Sequence, residues 1–292
     1  MINKGSLFVI LAMDSTTLTI PGFTIGYKTW GNPALPPMLA LHGWLDNANS
    51  FDLLAPYLEK QFYFIAIDFP GHGYSSHLSE GCYYHFSDGI FNILQVIKAL
   101  GLGQIHLLGH SMGACLASLI AGVVPEQILS MALIEGLGPF SNPDFSCRDQ
   151  LSRYSQLISK EANKSAKPYQ SLEQAALARA KRGYLSKELA AILAQRGLEE
   201  KEEQFYWRHD RRLLLTSPLT MTEGQVLSCL KGIRAKSCLI WASQGFGFDS
   251  NIMSERVKTV NDLQIYHLEG GHHIHMEQPG AVAQCLAQFY QD

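Results

Sequence analysis

One pentapeptide limits what this chain can fold into more than any other stretch: Gly109-His110-Ser111-Met112-Gly113. It follows an apolar run at residues 105–108 and precedes a helix-like segment at 114–124. A G-x-S-x-G between a strand and a helix is the sequence form of a sharp, strained turn with a serine at its tip. Glycine at 109 and 113 suits such a turn, because only glycine lets the strand and helix backbones pass that close.

The flanking pattern predicts the sheet that such a turn requires. Residues 18–20 and 25–30 read as two strands around Pro21-Gly22. Residues 38–41, 62–67, 105–108 and 131–134 are short apolar runs, and helical spacing separates them at 51–59, 86–100 and 114–124. Buried strands alternating with helices predict an α/β fold with a mostly parallel, doubly wound sheet covered on both faces. From 140 to 224 the pattern turns helical, with helices expected at 150–160, 172–182 and 187–196. The run Glu199-Glu200-Lys201-Glu202-Glu203 reads as a solvated helix face. Sheet logic resumes at 238–241 and 263–268, and a last helix covers 281–290. The expected organisation is a core of residues 1–139 and 225–292, with a helical cap inserted at 140–224. An insertion at that edge of a parallel sheet lies over the ligand crevice.

Composition narrows the class of partner. A net charge of −3 over 292 residues has no basic excess of the kind nucleic acid or anionic membrane would call for. The six cysteines lack C-x-x-C spacing, so free thiols are expected. No apolar run approaches the ~18 residues of a membrane span. Lys4 and the apolar stretch 7–13 form only a thin signal-peptide pattern without an A-x-A-like cleavage site, and Met13 offers an alternative start. A cytoplasmic protein is expected.

Two further segments join Ser111. His42-Gly43-Trp44 follows the strand at 38–41. Acyl transfer needs two preorganised N–H donors for a developing oxyanion, and the amides of Trp44 and Met112 are the candidates. His42, Gly43 and His110 flank them and are candidate substrate contacts. Near the C-terminus stands Gly270-Gly271-His272-His273-Ile274-His275-Met276-Glu277. A serine needs a base at neutral pH, and histidine has the right unperturbed pKa. His272, directly after the paired glycines, is the candidate; His275 is expected to pack the loop and His273 to face away. The His-His-x-His run lacks the spacing of a metal site, so neither metal nor organic cofactor is expected.

On these segments, together with Asp68-Phe69-Pro70-Gly71-His72-Gly73, the chain resembles the α/β-hydrolase superfamily. His42-Gly43-Trp44-Leu45-Asp46-Asn47 makes it similar, more narrowly, to the serine hydrolase-like protein group. The resemblance implies Ser111 as nucleophile, His272 as general base, and Trp44 and Met112 amides as oxyanion hole. It also implies that the helical insertion is a cap shaping the acyl pocket.

The acid departs from the common pattern. It is usually found just beyond the strand at 238–241, within W-G-x-x-D. Here that stretch reads Trp241-Ala242-Ser243-Gln244-Gly245-Phe246-Gly247-Phe248-Asp249, so Asp249 is the expected acid. Glu135, at the end of the strand at 131–134, is the alternative, since both lie between serine and histidine in the chain. Asp68 precedes the serine and is expected to hold the Gly71-His72-Gly73 turn. Arg208-His209-Asp210-Arg211-Arg212 reads as an ion-pair cluster tying cap to core, or else as an anion site. The expected function is hydrolysis of small carboxylic esters. A weakly catalytic small-molecule receptor or scaffold is the alternative.

Overall fold

The computed structural model describes residues 16–161, 166–182, 185–215 and 217–291. The apolar stretch at 7–13 lies outside them. Strands β1 (Thr16–Ile20), β2 (Phe23–Trp30), β3 (Pro37–Leu41), β4 (Tyr63–Ile67), β5 (Ile105–His110) and β6 (Ile128–Ile134) form the first part of the main sheet. Between β6 and the rest stand two short strands, β7 (Leu198–Lys201) and β8 (Gln204–Trp207); β9 (Lys236–Gln244) and β10 (Leu263–Gly271) complete the sheet. Its order is β1-β2-β4-β3-β5-β6-β9-β10. The pairs β1–β2 and β2–β4 are antiparallel, and every later pair is parallel.

Central strands read as continuous apolar runs because both of their faces are covered. Their side chains alternate between two cores, as strand period dictates. Leu39, Leu41, Leu107 and Leu133 join one core with residues of α2 (Asp88–Ala99) and α3 (Met112–Val123). Met38, Ala40, Leu108 and Ile134 join the other with α1 (Ala55–Leu58) and α10 (Pro279–Gln291).

After β6 the chain leaves the sheet for α4 (Cys147–Glu161), α5 (Leu172–Ala180) and α6 (Lys187–Gly197). These elements form the inserted cap region, with its own small core of Tyr169, Ala175, Ala176, Ala190, Ala194 and Leu198. The acidic run is a correction to the expected helix face. Glu199–Lys201 belong to β7, paired antiparallel with β8. Glu202 and Glu203 form the two-residue turn with φ of 51° and 59°, the primed geometry that matches hairpin twist. Leu198, Phe205 and Trp207 of this hairpin pack on the cap core, which outweighs the helical look of the charges.

Two helices have no counterpart in the sequence reading: α7 (Glu223–Leu230) and α8 (Ser250–Thr259). A short α9 (Ile274–Glu277) follows β10. All six cysteines are free thiols. Among the described residues no helix is long and apolar enough to cross a membrane.

Candidate active site

Ser111 stands between the end of β5 and the start of α3, with φ 52° and ψ −116°. A non-glycine residue with positive φ is strained and persists only where its surroundings over-determine it. Here the surroundings do so. The Ser111 N–H donates to the Ile134 carbonyl at 2.9 Å. A Cβ on Gly113 would lie 2.0 Å from the Leu41 carbonyl oxygen and 2.7 Å from that of His42. The helix start is thus pressed against the turn that follows β3, and only glycine fits.

His272 follows β10 and is buried. Its Nε2 lies 2.8 Å from Ser111 Oγ, and its Nδ1 lies 3.0 Å from Glu135 Oε2. A ring nitrogen facing a carboxylate carries the proton, so Nδ1–H donates to Glu135 and Nε2 accepts from the Ser111 hydroxyl. Glu135 directly follows β6, is fully buried, and has φ 56°. Its Oε1 accepts from the Ala242 N–H at 2.7 Å, and its Oε2 also accepts from the Phe246 N–H at 2.9 Å. The carboxylate is therefore held by the chain at and just beyond the end of β9.

Asp249 is elsewhere, which corrects the expected pairing with His272. It is exposed and serves as N-cap of α8, accepting from the Asn251 and Ile252 amides at 2.9 and 3.1 Å. The sequence does carry a signal for this. A Cβ on Gly245 would stand 2.0 Å from Glu135 Oε2. Glycine occupies the usual acid slot because a carboxylate from the neighbouring strand fills that space.

The Trp44 amide belongs to the turn after β3, and that of Met112 opens α3 directly after Ser111. Among the described residues no hydrogen bond engages either amide. The Trp44 ring is half exposed and donates Nε1–H to the Leu213 carbonyl at 2.9 Å.

His42 and His110 are fully buried, which corrects their expected role as substrate contacts. His42 donates Nδ1–H to the Gly43 carbonyl at 2.7 Å and accepts the Phe69 N–H at 3.1 Å. It is a strut between the turns after β3 and β4. Burial pushes its pKa down to about 4, so it stays neutral in this role. His110 donates Nε2–H to the His272 carbonyl at 2.9 Å. Gly43 is packed against Asp46 and His110: a Cβ there would be 2.9 Å from Asp46 Oδ2 and from His110 Nδ1.

Behind these residues lies a buried polar network that sequence reasoning missed. His273 does not face away; it is buried and its Nε2 donates to Asp46 Oδ2 at 3.1 Å. Arg179 of α5 bonds the other oxygen of Asp46. Burial would raise the Asp46 pKa, but His273 and Arg179 outweigh it and hold the carboxyl well below its usual range. His275 packs as expected, with its Nε2 2.8 Å from Ser50 Oγ. Asp46, His110 and His273 place donor atoms within 4.8 Å of one another. That is close enough for a metal ion, but Asp46 is already engaged by His273 and Arg179, so the cluster reads as an ion-pair network.

The cap is tied down beside this network. Asp68, at the end of β4, accepts from the Ala48 and Tyr74 amides at 2.8 Å each and so holds the 71–74 turn as expected. It also pairs with Arg196 of α6 at 2.8 Å, both side chains fully buried. Asn47 and Asn49 donate to the Leu193 and Ile192 carbonyls of the same helix at 2.9 and 3.0 Å. The 208–212 run is the expected tie rather than an open anion site. Arg212 binds Asp210 and the carbonyls of Leu78, Ser79 and Cys82.

Similarity to known proteins follows the same outline. Residues 36–279 match the family model described as alpha/beta hydrolase fold. The chain is 30% identical to the serine hydrolase-like protein of Danio rerio, over 96% of this chain and 89% of that one. It is 34% identical to a serine hydrolase-like protein of Dictyostelium discoideum, over 92% and 79%. The crystal structure of the hypothetical protein PA1622 from Pseudomonas aeruginosa PAO1 superposes with a TM-score of 0.89 at 36% identity, covering 97% of this chain and all of that one. A thioesterase domain from the curacin biosynthetic pathway gives 0.82 at 28% identity, over 94% and 99%. With the sheet order, the inserted cap region and these matches together, the chain belongs to the α/β-hydrolase family and is closely related to its serine hydrolase-like members.

Proposed function

We propose that this protein is a serine hydrolase that cleaves small carboxylic esters by acyl transfer, with Ser111 as nucleophile, His272 as base and Glu135 as acid. The observation that carries the proposal is the continuous relay from Ser111 Oγ to His272 at 2.8 Å and from His272 to Glu135 at 3.0 Å. His272 Nε2 takes the hydroxyl proton as Oγ bonds to the ester carbonyl carbon. Negative charge moves to the carbonyl oxygen, where the Trp44 and Met112 amides stabilise it. The carbon–oxygen bond to the alcohol then breaks, and His272 returns its proton to the departing oxygen. Water repeats the sequence on the acyl-serine: His272 takes a proton from it, the acid product leaves, and Ser111 recovers its proton. Glu135 keeps Nδ1 protonated and stabilises the imidazolium formed in each half. Neither metal nor organic cofactor enters this chemistry.

The thioesterase named among the similar structures keeps thioesters within the proposed class. The receptor reading drew on the missing acid beyond β9, and Glu135 in contact with His272 favours catalysis instead. Labelling with a small fluorophosphonate tests the reading. Wild type should form one covalent adduct at Ser111, and Ser111→Ala and His272→Ala should lose it. Labelling that persists undiminished in Ser111→Ala would overturn the assignment.

A further inference from the structure

The residues just beyond β9, where the acid of this fold usually stands, do something else here. Glu135 is held by the backbone amide of Phe246, and Phe246 itself is partly exposed. Its ring lies 5.7 Å from the His272 imidazole, 5.1 Å from Phe248 and 5.6 Å from Phe140. Phe248 in turn lies 5.4 Å from Trp241. A shelf of aromatic rings thus starts at the base of the relay and runs away from it. Phe140 is 65% exposed, although it belongs to a loop that Arg256 holds firmly through the Leu137, Gly138 and Pro139 carbonyls. Aromatic surface kept bare on a fixed loop next to a reactive centre marks a binding site.

The shelf opens into a groove of about 520 Å³. Trp241, Phe246, Phe248, Met253 and Val257 form its apolar lining, and no carboxylate lines it among the described residues. Lys258, at the groove, is bonded to Glu255 at 3.0 Å. The groove is shallow and open to solvent, so it would cover only one side of a bound chain. Ser250 and Ser254 also border it, but the apolar side chains make up most of its surface, which suits a hydrocarbon chain.

We infer that this groove binds a linear aliphatic chain of the ester substrate, entered from the relay past Phe246. The inference rests on the acyl-transfer reading. The chain belongs to either the acid or the alcohol half of the ester, and the chemistry of the groove is the same for both. What commits it to a substrate chain is continuity: the first ring of the shelf touches the residue that handles the proton of the leaving group.

Two ester series test it on the full chain. One lengthens the acyl group from acetyl to octanoyl on nitrophenol; the other lengthens the alcohol on propionate. Fully burying a methylene is worth about a fourfold preference, so a half-covered chain gains about twofold per methylene and about 60-fold over six. We expect kcat/KM to rise by that order in one series. Phe140→Ala, at an exposed position that should not disturb folding, and Phe248→Ala should each cut the rise to below about fivefold. A rise in neither series, or a rise left intact in both variants, overturns the inference. Fluorophosphonate labelling of Ser111 separates the two failures: adduct without chain preference defeats the groove alone, whereas no adduct in wild type defeats the acyl-transfer reading beneath it.

Discussion

The side chain of His110 donates Nε2–H to the main-chain carbonyl of His272 at 2.9 Å. The residue preceding Ser111 therefore holds the backbone of the residue that meets Ser111. Nucleophile and base are set against each other by this bond across 162 positions of sequence. Asp46 holds the next residue, His273. The turn after β3, the turn after β5 and the turn after β10 are locked as one unit.

His110→Ala should thus act on turnover through position rather than chemistry. A displacement of about 1 Å at a reacting group costs on the order of 100-fold. We expect kcat to fall by about 10- to 100-fold with KM little changed, and His110→Asn to recover part of the loss. Steady-state kinetics on both variants checks this. An unchanged kcat in His110→Ala would show that the base loop holds itself.

Glu135→Gln and Asp249→Asn separate the two candidate acids. Glu135→Gln should lower kcat by about 10³–10⁴, the loss seen when a triad acid is neutralised. Asp249→Asn should leave kcat within about twofold, because asparagine caps a helix as well as aspartate does. Asp249→Ala should cost about 1 kcal/mol of stability, read by denaturant unfolding, with the activity of the folded protein kept.

Gly245→Ala should resemble Glu135→Gln although it alters no ionisable group. The new methyl would meet Glu135 Oε2 at 2.0 Å, so the carboxylate has to leave His272. We expect a loss on the order of 10³ in kcat, with fluorophosphonate labelling slowed in parallel. Gly247→Ala serves as the control, since nothing lies within 4 Å of its added carbon.

Acid should unfold this protein earlier than its modest charge suggests. Burial lowers the pKa of His42 to about 4, of His72 to about 3 and of His275 to about 3, and lowers that of His110 as well. An unfolded histidine titrates near 6.5. Below that pH the unfolded chain binds protons that the folded chain refuses. Stability is complete above about pH 6.5 and falls with acid by about 1.4 kcal/mol per pH unit for each histidine, until the folded values are reached. Against a typical total of 5–15 kcal/mol, the unfolding midpoint should lie at about pH 4–5.5, as near-UV circular dichroism would show. A fold that survives at pH 3 would contradict these neutral histidines.

Much of this was legible in sequence wherever function is local to a turn. The strained turn at Ser111, the loop at His42-Gly43-Trp44 and the position of His272 each follow from a few contiguous residues. The partner of His272 was harder, because chain order admits both Asp249 and Glu135 and only the lateral order of β6 and β9 separates them. The Asp46 network was hidden for the same reason: it joins three loops and a cap helix that meet only in space. The hairpin at 198–207 was missed because its acidic run has no alternation to read. The α8 helix was missed because its apolar face is short, with only Met253 and Val257 reaching the core.

The buried pair between Asp68 and Arg196 bears on how this protein can be engineered. The cap region cannot be removed or exchanged as an independent module. A graft lacking Arg196 would leave Asp68 as an unpaired charge in the interior, an error that typically costs 3–5 kcal/mol. It would also strip Asn47 and Asn49 of the carbonyls they donate to on α6, in the same loop that presents the Trp44 amide. A chimera would therefore have to inherit its seam along with its lid: Arg179, the stretch of α6 from Ile192 to Arg196, and the tie formed by Asp210, Arg212 and Leu213 travel together.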